Sequence, residues 1–376
     1  MKRQSIAPRP DYGQKLEAVG LSFHSWDGYW REDVCYQLDA RQVDELEAAA
    51  EELHAMCLKA VVHVIDKGRL GELAIPQLYW DAIAASFRQK DISLYGRFDF
   101  AYDGVNPPKM LEYNADTPTS LLESAVAQWY WMQEAFPGTD QFNSLHERLV
   151  EQWKKVPGTG LIHLASLKGN EEDWVCTMYL LDTVAQAGRQ GKHVWLEDIG
   201  WHGRKNQFVD LEGQPIETLF KLYPWEWMLR EDFGPNVLKA GTQFIEPLWK
   251  SVLSCKGLLA ILWELYPDHP NLLPAYFSPD KLTEYAKKPL YSREGANVEL
   301  YRGTELVAKD AGPYGDEGHV YQQLHMLPEF DGRYPVIGAW IVGNESAGIC
   351  IREDVSPITT NMSNFIPHYF VEQADK

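Results

Sequence analysis

Between residues 39 and 66 the apolar positions Val43, Leu46, Ala50, Leu53, Cys57, Val61 and Val64 recur three or four apart, with charged residues between them. That spacing predicts one face of a long amphipathic helix, capped by Asp39. His54 and His63 fall on it nine residues apart, not the four that would bring two imidazoles to one metal, so they are packed or solvated histidines. The period then changes. Residues 97–102 alternate polar and apolar, 103–108 (DGVNPP) supply turn residues, and 109–114 alternate again, which predicts a β-hairpin. Thr117-Pro118 has the form of an N-cap followed by an N1 proline and predicts a helix running through Leu121, Ala125 and Trp129.

The middle third reads as βα units: strands over 161–167, 193–199 and 244–247 and a helix over 173–187, a succession that favours a parallel sheet. A helix over 251–266 then gives way to strands over 285–291, 298–301, 319–325, 334–342 and 347–351, with Gly343-Asn344 turning between the last two. No fixed-period repeat is present, so a solenoid is excluded.

Side chains alternate faces along a strand, so Arg97 and Asp99 share one face of the hairpin's first strand, and Glu112 and Asn114 share one face of its second. Pairing can bring two carboxylates, an amide oxygen and an arginine together. Hard oxygen donors of this kind suit Mg²⁺, whose remaining positions water and nucleotide phosphates fill. The alternative is a solvent-facing hairpin with cross-strand ion pairs. Downstream, 115–120 (ADTPTS) enter the predicted helix terminus, a place for an anion or simply a cap. Residues 287–298 (KKPLYSREGANV) read as a strand, a loop with Arg and Gly, and another strand; such a loop can fold over phosphates or stand as an exposed charged hairpin. Arg352 ends an apolar strand between acids, within reach of a phosphoryl group or only of its neighbours. Glu171-Glu172-Asp173 precede a helix, where acids dock an ammonium chain or complement the helix dipole. No Walker or G-x-G-x-x-G signature occurs.

Composition narrows the field. The 376 residues are 45% hydrophobic and 12% aromatic, enough for a large core. A net charge of −19 without a basic block excludes a phosphate-backbone footprint, so nucleic acid is not expected as a partner. The acidic balance suits a cationic substrate and equally suits plain solubility. Five scattered cysteines without a C-x-x-C pair predict a reducing, cytoplasmic setting, and no apolar run reaches membrane-spanning length.

LYGRFDFAYDG (94–104), LEYNADTPTSL (111–121), KLYPWEWM (221–228), KPLYSREGANV (288–298), VYQQ (320–323) and IRED (351–354) together resemble the synthetase domain of the glutathionylspermidine synthase family, and most closely its stand-alone bacterial acid–amine ligase relatives, over nearly the whole chain. The resemblance implies an α/β (α+β) ATP-grasp fold with a pre-ATP-grasp-like domain. Residues 1–145 would form a helical region carrying the metal-binding hairpin, 146–250 a substrate domain and 251–376 the nucleotide-binding region. It implies ligation of a peptide or amino-acid carboxylate, glutathione-like, to an amine such as spermidine, with ATP and Mg²⁺. Asp99, Glu112 and Asn114 would hold the metal; Arg97 and Arg352 would be catalytic, Arg352 on a mobile loop. Arg97, Lys256, Lys288, the Arg293-Glu294-Gly295 loop, Gln322 and Gln323 would bind ATP, and Thr117, Thr119, Glu171 and Glu172 would lie near the substrates. The bifunctional members carry an amidase domain ahead of the synthetase; here the chain opens in synthetase-like sequence, so no amide hydrolysis is expected. A small-molecule kinase on the same fold and a non-catalytic nucleotide-binding protein are the alternatives.

Overall fold

The computed structural model describes residues 1–360 and 363–372. Strand β1 (Lys2–Ser5) pairs antiparallel with β2 (Val34–Asp39), which follows α1 (Tyr12–Ala18) and runs directly into α2 (Ala40–Asp66). Asp39 makes the switch: its carboxylate accepts from the Gln42 N–H while the Gln42 side chain accepts from the Asp39 N–H, so a capping box satisfies donors the first turn leaves orphaned. The seven apolar positions read from the sequence are all buried in the main core. Burying each of the Val and Leu side chains among them contributes roughly 1.5–3 kcal/mol, which outweighs any difference in helix propensity along α2. His54 is packed between Tyr113 Oη at 3.0 Å and Asn344 Oδ1 at 3.2 Å, and burial lowers its pKa to about 4.

Beyond α3 (Trp80–Arg88), β3 (Tyr95–Ala101) and β4 (Lys109–Asn114) form the expected hairpin, with Arg97 opposite Asn114 and Asp99 opposite Glu112. Phe98 and Tyr113 stack at 3.9 Å on its other face and anchor it in the core. The chain then departs from the expectation at Thr117-Pro118. Residues 117–120 have no helical structure; helix begins at Leu121, passes through a π-helical turn (Glu123–Ala127) and continues as α4 (Gln128–Ala135). Ser120 sits at φ 71°, outside helical space, and the Thr117 hydroxyl accepts from Arg293 in place of capping.

After α5 (Leu145–Lys154), the strands β5 (Ile162–Ser166) and β6 (Gly191–Trp195) flank α6 (Glu171–Gln186). A small hairpin, β7 (Gly200–His202) with β8 (Gln207–Val209), precedes β9 (Thr218–Lys221), the short helix α7 (Trp225–Met228) and β10 (Gln243–Ile245). The order β10-β9-β5-β6 is parallel throughout, as expected, although β9 carries no periodicity that separates it from the following turn and was not foreseen. The single helix expected over 251–266 is two, α8 (Lys250–Ser254) and α9 (Leu258–Leu265). Cys255 is extended at the break, and the Lys256 N–H leaves the helix to donate to the Leu290 carbonyl at 2.9 Å.

A third sheet holds β11 (Ala275–Tyr276), β12 (Glu284–Pro289), β13 (Glu299–Arg302), β14 (Glu305–Lys309) and β15 (His319–Gln323) in the order β11-β15-β12-β13-β14. The long strands β16 (Tyr334–Val342) and β17 (Glu345–Asp354), with β18 (Asn364–Ile366), then join the early hairpin in a five-stranded sheet ordered β18-β17-β16-β3-β4. Finally β19 (His368–Val371) lies parallel to β2. Arg352 is therefore inside β17, opposite Val336 and Phe365, and not on the mobile loop expected for it; ladders on both sides hold its backbone.

Candidate active site

A cavity of about 390 Å³ opens between the five-stranded sheet of β3 and β4, the sheet of β12 and β15, and the first turn of α6. The hairpin supplies its floor. Arg97 and Asp99 on β3 and Glu112 and Asn114 on β4 all line it, because alternation turns this face to the cavity while Phe98, Phe100 and Tyr113 turn to the core. Asp99 accepts from Arg97 Nε at 2.8 Å and from Arg352 Nη2 at 3.0 Å, and Arg97 Nη1 also donates to the Thr119 carbonyl at 3.0 Å. Glu112 accepts from Asn114 Nδ2 at 3.0 Å and lies 3.0 Å from Lys256 Nζ.

Lys288, at the end of β12, reaches across to the floor: its Nζ donates to the Leu111 carbonyl at 2.9 Å and to Gln322 Oε1 at 2.7 Å. Burial pushes this ammonium down to about 8 despite the attraction of Glu112, and Lys256 repels it further. Glu112 moves the other way; burial alone would raise it, but Lys256 and Lys288 outweigh that and hold the carboxyl well below its ordinary range. Lys256 stands beneath the cavity wall at the break between α8 and α9, bridging Glu112 to the Ser292 carbonyl at 2.7 Å.

The loop after β12 hangs over the other side. Arg293 donates to Thr117 Oγ1 at 2.6 Å and to Glu226 Oε1 at 3.0 Å while lying over the Trp227 ring at 5.5 Å. Glu294 and Gly295 complete the overhang, and a side chain at Gly295, with φ 72°, would collide with the Thr359 carbonyl. Gln322 and Gln323 line the far end beside Leu324, Met326 and Leu327.

The opposite end is acidic. Glu172 and Asp173 line it, whereas Glu171, expected with them, points to Ser22 and does not. On a helix consecutive residues face about 100° apart, so three adjacent acids cannot share one wall. Burial and the charge of Glu172 raise Asp173 to about 7, and the same two causes raise Glu123 to about 7, where Tyr29 Oη donates to it at 2.7 Å. Tyr29, Glu226 and Trp227 complete this end or its support and were not foreseen. Glu226 and Trp227 lie in the KLYPWEWM stretch, whose short helix α7 is fixed by the buried Asp116, which accepts from Lys221 Nζ at 2.8 Å and from the Trp225 N–H at 2.7 Å. Nothing local to Tyr29 signals its position.

The donor set fits Mg²⁺ by chemistry: two carboxylates and an amide oxygen, all hard oxygen donors, on one sheet face. Among the described residues there is no cluster of three or more His, Cys, Asp or Glu that could hold a metal ion. All five cysteines are free and buried, and among the described residues no helix is long and apolar enough to cross a membrane.

These sheets and the charged cavity between them belong to an ATP-dependent carbon–nitrogen ligase. The chain is a member of the glutathionylspermidine synthase family: the family profile described as glutathionylspermidine synthase preATP-grasp matches residues 3–371. A Haemophilus influenzae protein named "Putative acid–amine ligase" is 46% identical over 99% of this chain and 100% of its own length. A trypanothione synthetase of Crithidia fasciculata is 30% identical over 83% of this chain, and a bifunctional glutathionylspermidine synthetase/amidase of Escherichia coli is 29% identical over 90%. Those two matches cover 53% and 59% of the longer proteins.

Proposed function

We propose that the protein joins the carboxylate of a peptide or amino acid, glutathione-like, to an amine of the polyamine type through an acyl phosphate, with Mg-ATP as the phosphoryl donor. The observation that carries the reading is the hairpin register: Asp99 faces Glu112 and Arg97 faces Asn114 on the floor of a cavity roofed by Lys288 and Arg293. In it Asp99, Glu112 and Asn114 hold Mg²⁺, which would neutralise phosphate charge and orient the transferring group. Lys256 and Lys288 bind phosphates as point charges, and Arg293, Glu294 and Gly295 cover them. Gln322 and Gln323 meet the base among Leu324, Met326 and Leu327.

A carboxylate and a triphosphate repel, so the site must first cancel their charge and then align oxygen with phosphorus. Arg97 and Arg352, converging on Asp99 at the cavity floor, are the groups that stabilise charge on the phosphoryl oxygens during transfer. Thr117 and Thr119 lie beside the acid. Glu172, together with Asp173, holds the amine; Glu171 is removed from that role by its contact with Ser22. A carboxylate raised to about 7, as Asp173 is, is matched to taking a proton from the attacking ammonium near neutral pH. The division at 1–145, 146–250 and 251–376 belongs to the same proposal, with the first and last stretches sharing the sheet that bears the metal ligands.

The deciding experiment supplies ¹⁸O-carboxylate acid, amine and Mg-ATP. One label per turnover is expected in the phosphate released, and phosphate free of label rejects the acyl phosphate. A stable phosphorylated acid with no phosphate release would make the protein a kinase.

A further inference from the structure

On the far side of α6 lies a second cavity, of about 640 Å³, that the ligase reaction does not use. The π-helical turn and α4 form one wall with Leu122, Ala125, Val126, Trp129 and Tyr130; α6 forms the other with Trp174, Val175, Met178, Tyr179 and Asp182. Two features set it apart from an ordinary seam between helices. Two of its rings are open to solvent, Tyr130 at 51% and Trp174 at 40% exposure, although the molecule buries most of its large aromatics. Its charge is also all of one sign: Glu147 and Asp182 line it, and no lysine or arginine does. Among the described residues neither carboxylate pairs with a cation; Asp182 accepts only from Gln186, at 2.7 Å. Both lie close enough to Tyr179 that their charge acts on its hydroxyl, which His146 contacts at 3.1 Å. Trp174 and Asp182 stand eight residues apart on one helix, about 12 Å along its axis.

We infer that this groove is a binding site for an elongated alkylammonium ion, its methylene stem lying on the Leu122, Val126, Val175 and Met178 floor and its charge meeting Glu147 and Asp182. Charge complementarity selects the occupant. An apolar stem alone would not account for two uncompensated acids, and aromatic faces attract cations in addition to burying methylenes. The site is separate from the active-site cavity: α6 presents Glu172 and Asp173 to the one and Trp174, Met178 and Asp182 to the other. It does not depend on the ligase reading.

Diaminooctane is the probe, with octanediol as its neutral twin of equal length, both measured by isothermal titration calorimetry on the full chain. The wild type is expected to bind the diamine in this groove, and the Glu147→Gln/Asp182→Asn variant to bind it there at least ten times more weakly. Both positions are exposed, so folding is preserved, and Trp174→Ala gives an independent second variant. Asp173→Asn tests the active-site cavity separately. If it alone removes binding, or if the groove variants bind as the wild type does, the inference fails while the ligase reading stands. If only the groove variants lose binding, the groove holds. Octanediol binding as tightly as the diamine, or no binding of the diamine to the wild type, also overturns the inference.

Discussion

Asp99 accepts from two arginines at once, so it both positions them and offsets their charge before any phosphate arrives. Asp99→Asn keeps the volume and removes the charge. Mg²⁺-dependent ADP formation is expected to fall by about 100-fold or more, and the variant to remain folded by circular dichroism with a lower Tm, since two guanidiniums lose their counter-charge. Arg352→Ala removes a donor from a backbone that two ladders fix, so kcat should fall more than the KM for ATP rises; equal changes in both would make Arg352 a binding residue. Glu123 gives a prediction with a sign. Its carboxyl is raised to about 7 by burial and by Glu172, so the folded state holds a proton the unfolded chain releases near 4.5. That stability is fully present below about 4.5 and is lost as pH rises through about 7. Glu123→Gln should therefore raise stability at pH 8, by up to ~3 kcal/mol, and change it little at pH 4, which denaturant melts at the two pH values will read.

Local rules carried individual elements well and failed where tertiary partners intervened. The α2 stripe and the β3–β4 hairpin were legible because one period runs unbroken through each, and hairpin alternation alone put Arg97, Asp99, Glu112 and Asn114 on a common face. The helix expected at Thr117 was not there because its hydroxyl is taken by Arg293, 176 residues away in sequence. Leu258 to Leu265 continue the apolar character of 251–254, so no period marks the break at Cys255; the cause is the contact of Lys256 with Leu290, Ser292 and Glu112. Glu171 was misplaced for a simpler reason, the rotation of a helix. The covering loop belongs to this scale as well. Gly295→Ala sets a methyl group against the Thr359 carbonyl at a φ of 72°, so the loop must lift. The KM for ATP should rise about tenfold while global stability is nearly unchanged, and limited proteolysis should cut the loop faster than in the wild type.

Over the whole molecule, charge is sorted within a chain of net charge −19. The active-site cavity is basic where Lys288, Arg97 and Arg352 gather, with Lys256 beneath its wall, and acidic where Glu172, Asp173 and Glu294 do; on the proposed reading a cationic amine meets the acidic end. Raising salt from 0.05 to 0.5 M should increase the KM of a cationic amine several-fold and leave a neutral amine analogue nearly unaffected, which initial rates can establish. The sheet order is a feature of the same scale. The hairpin of residues 95–114 acquires its sheet partner, β16, only from residues 334–342, more than two hundred positions later. During synthesis the hairpin therefore waits, its acids unable to gain Arg352 and its roof lacking Lys288, until most of the polypeptide has left the ribosome. A nascent or truncated chain would thus be inert toward ATP, and the cell would be spared an enzyme that cleaves nucleotide before it can hold both substrates.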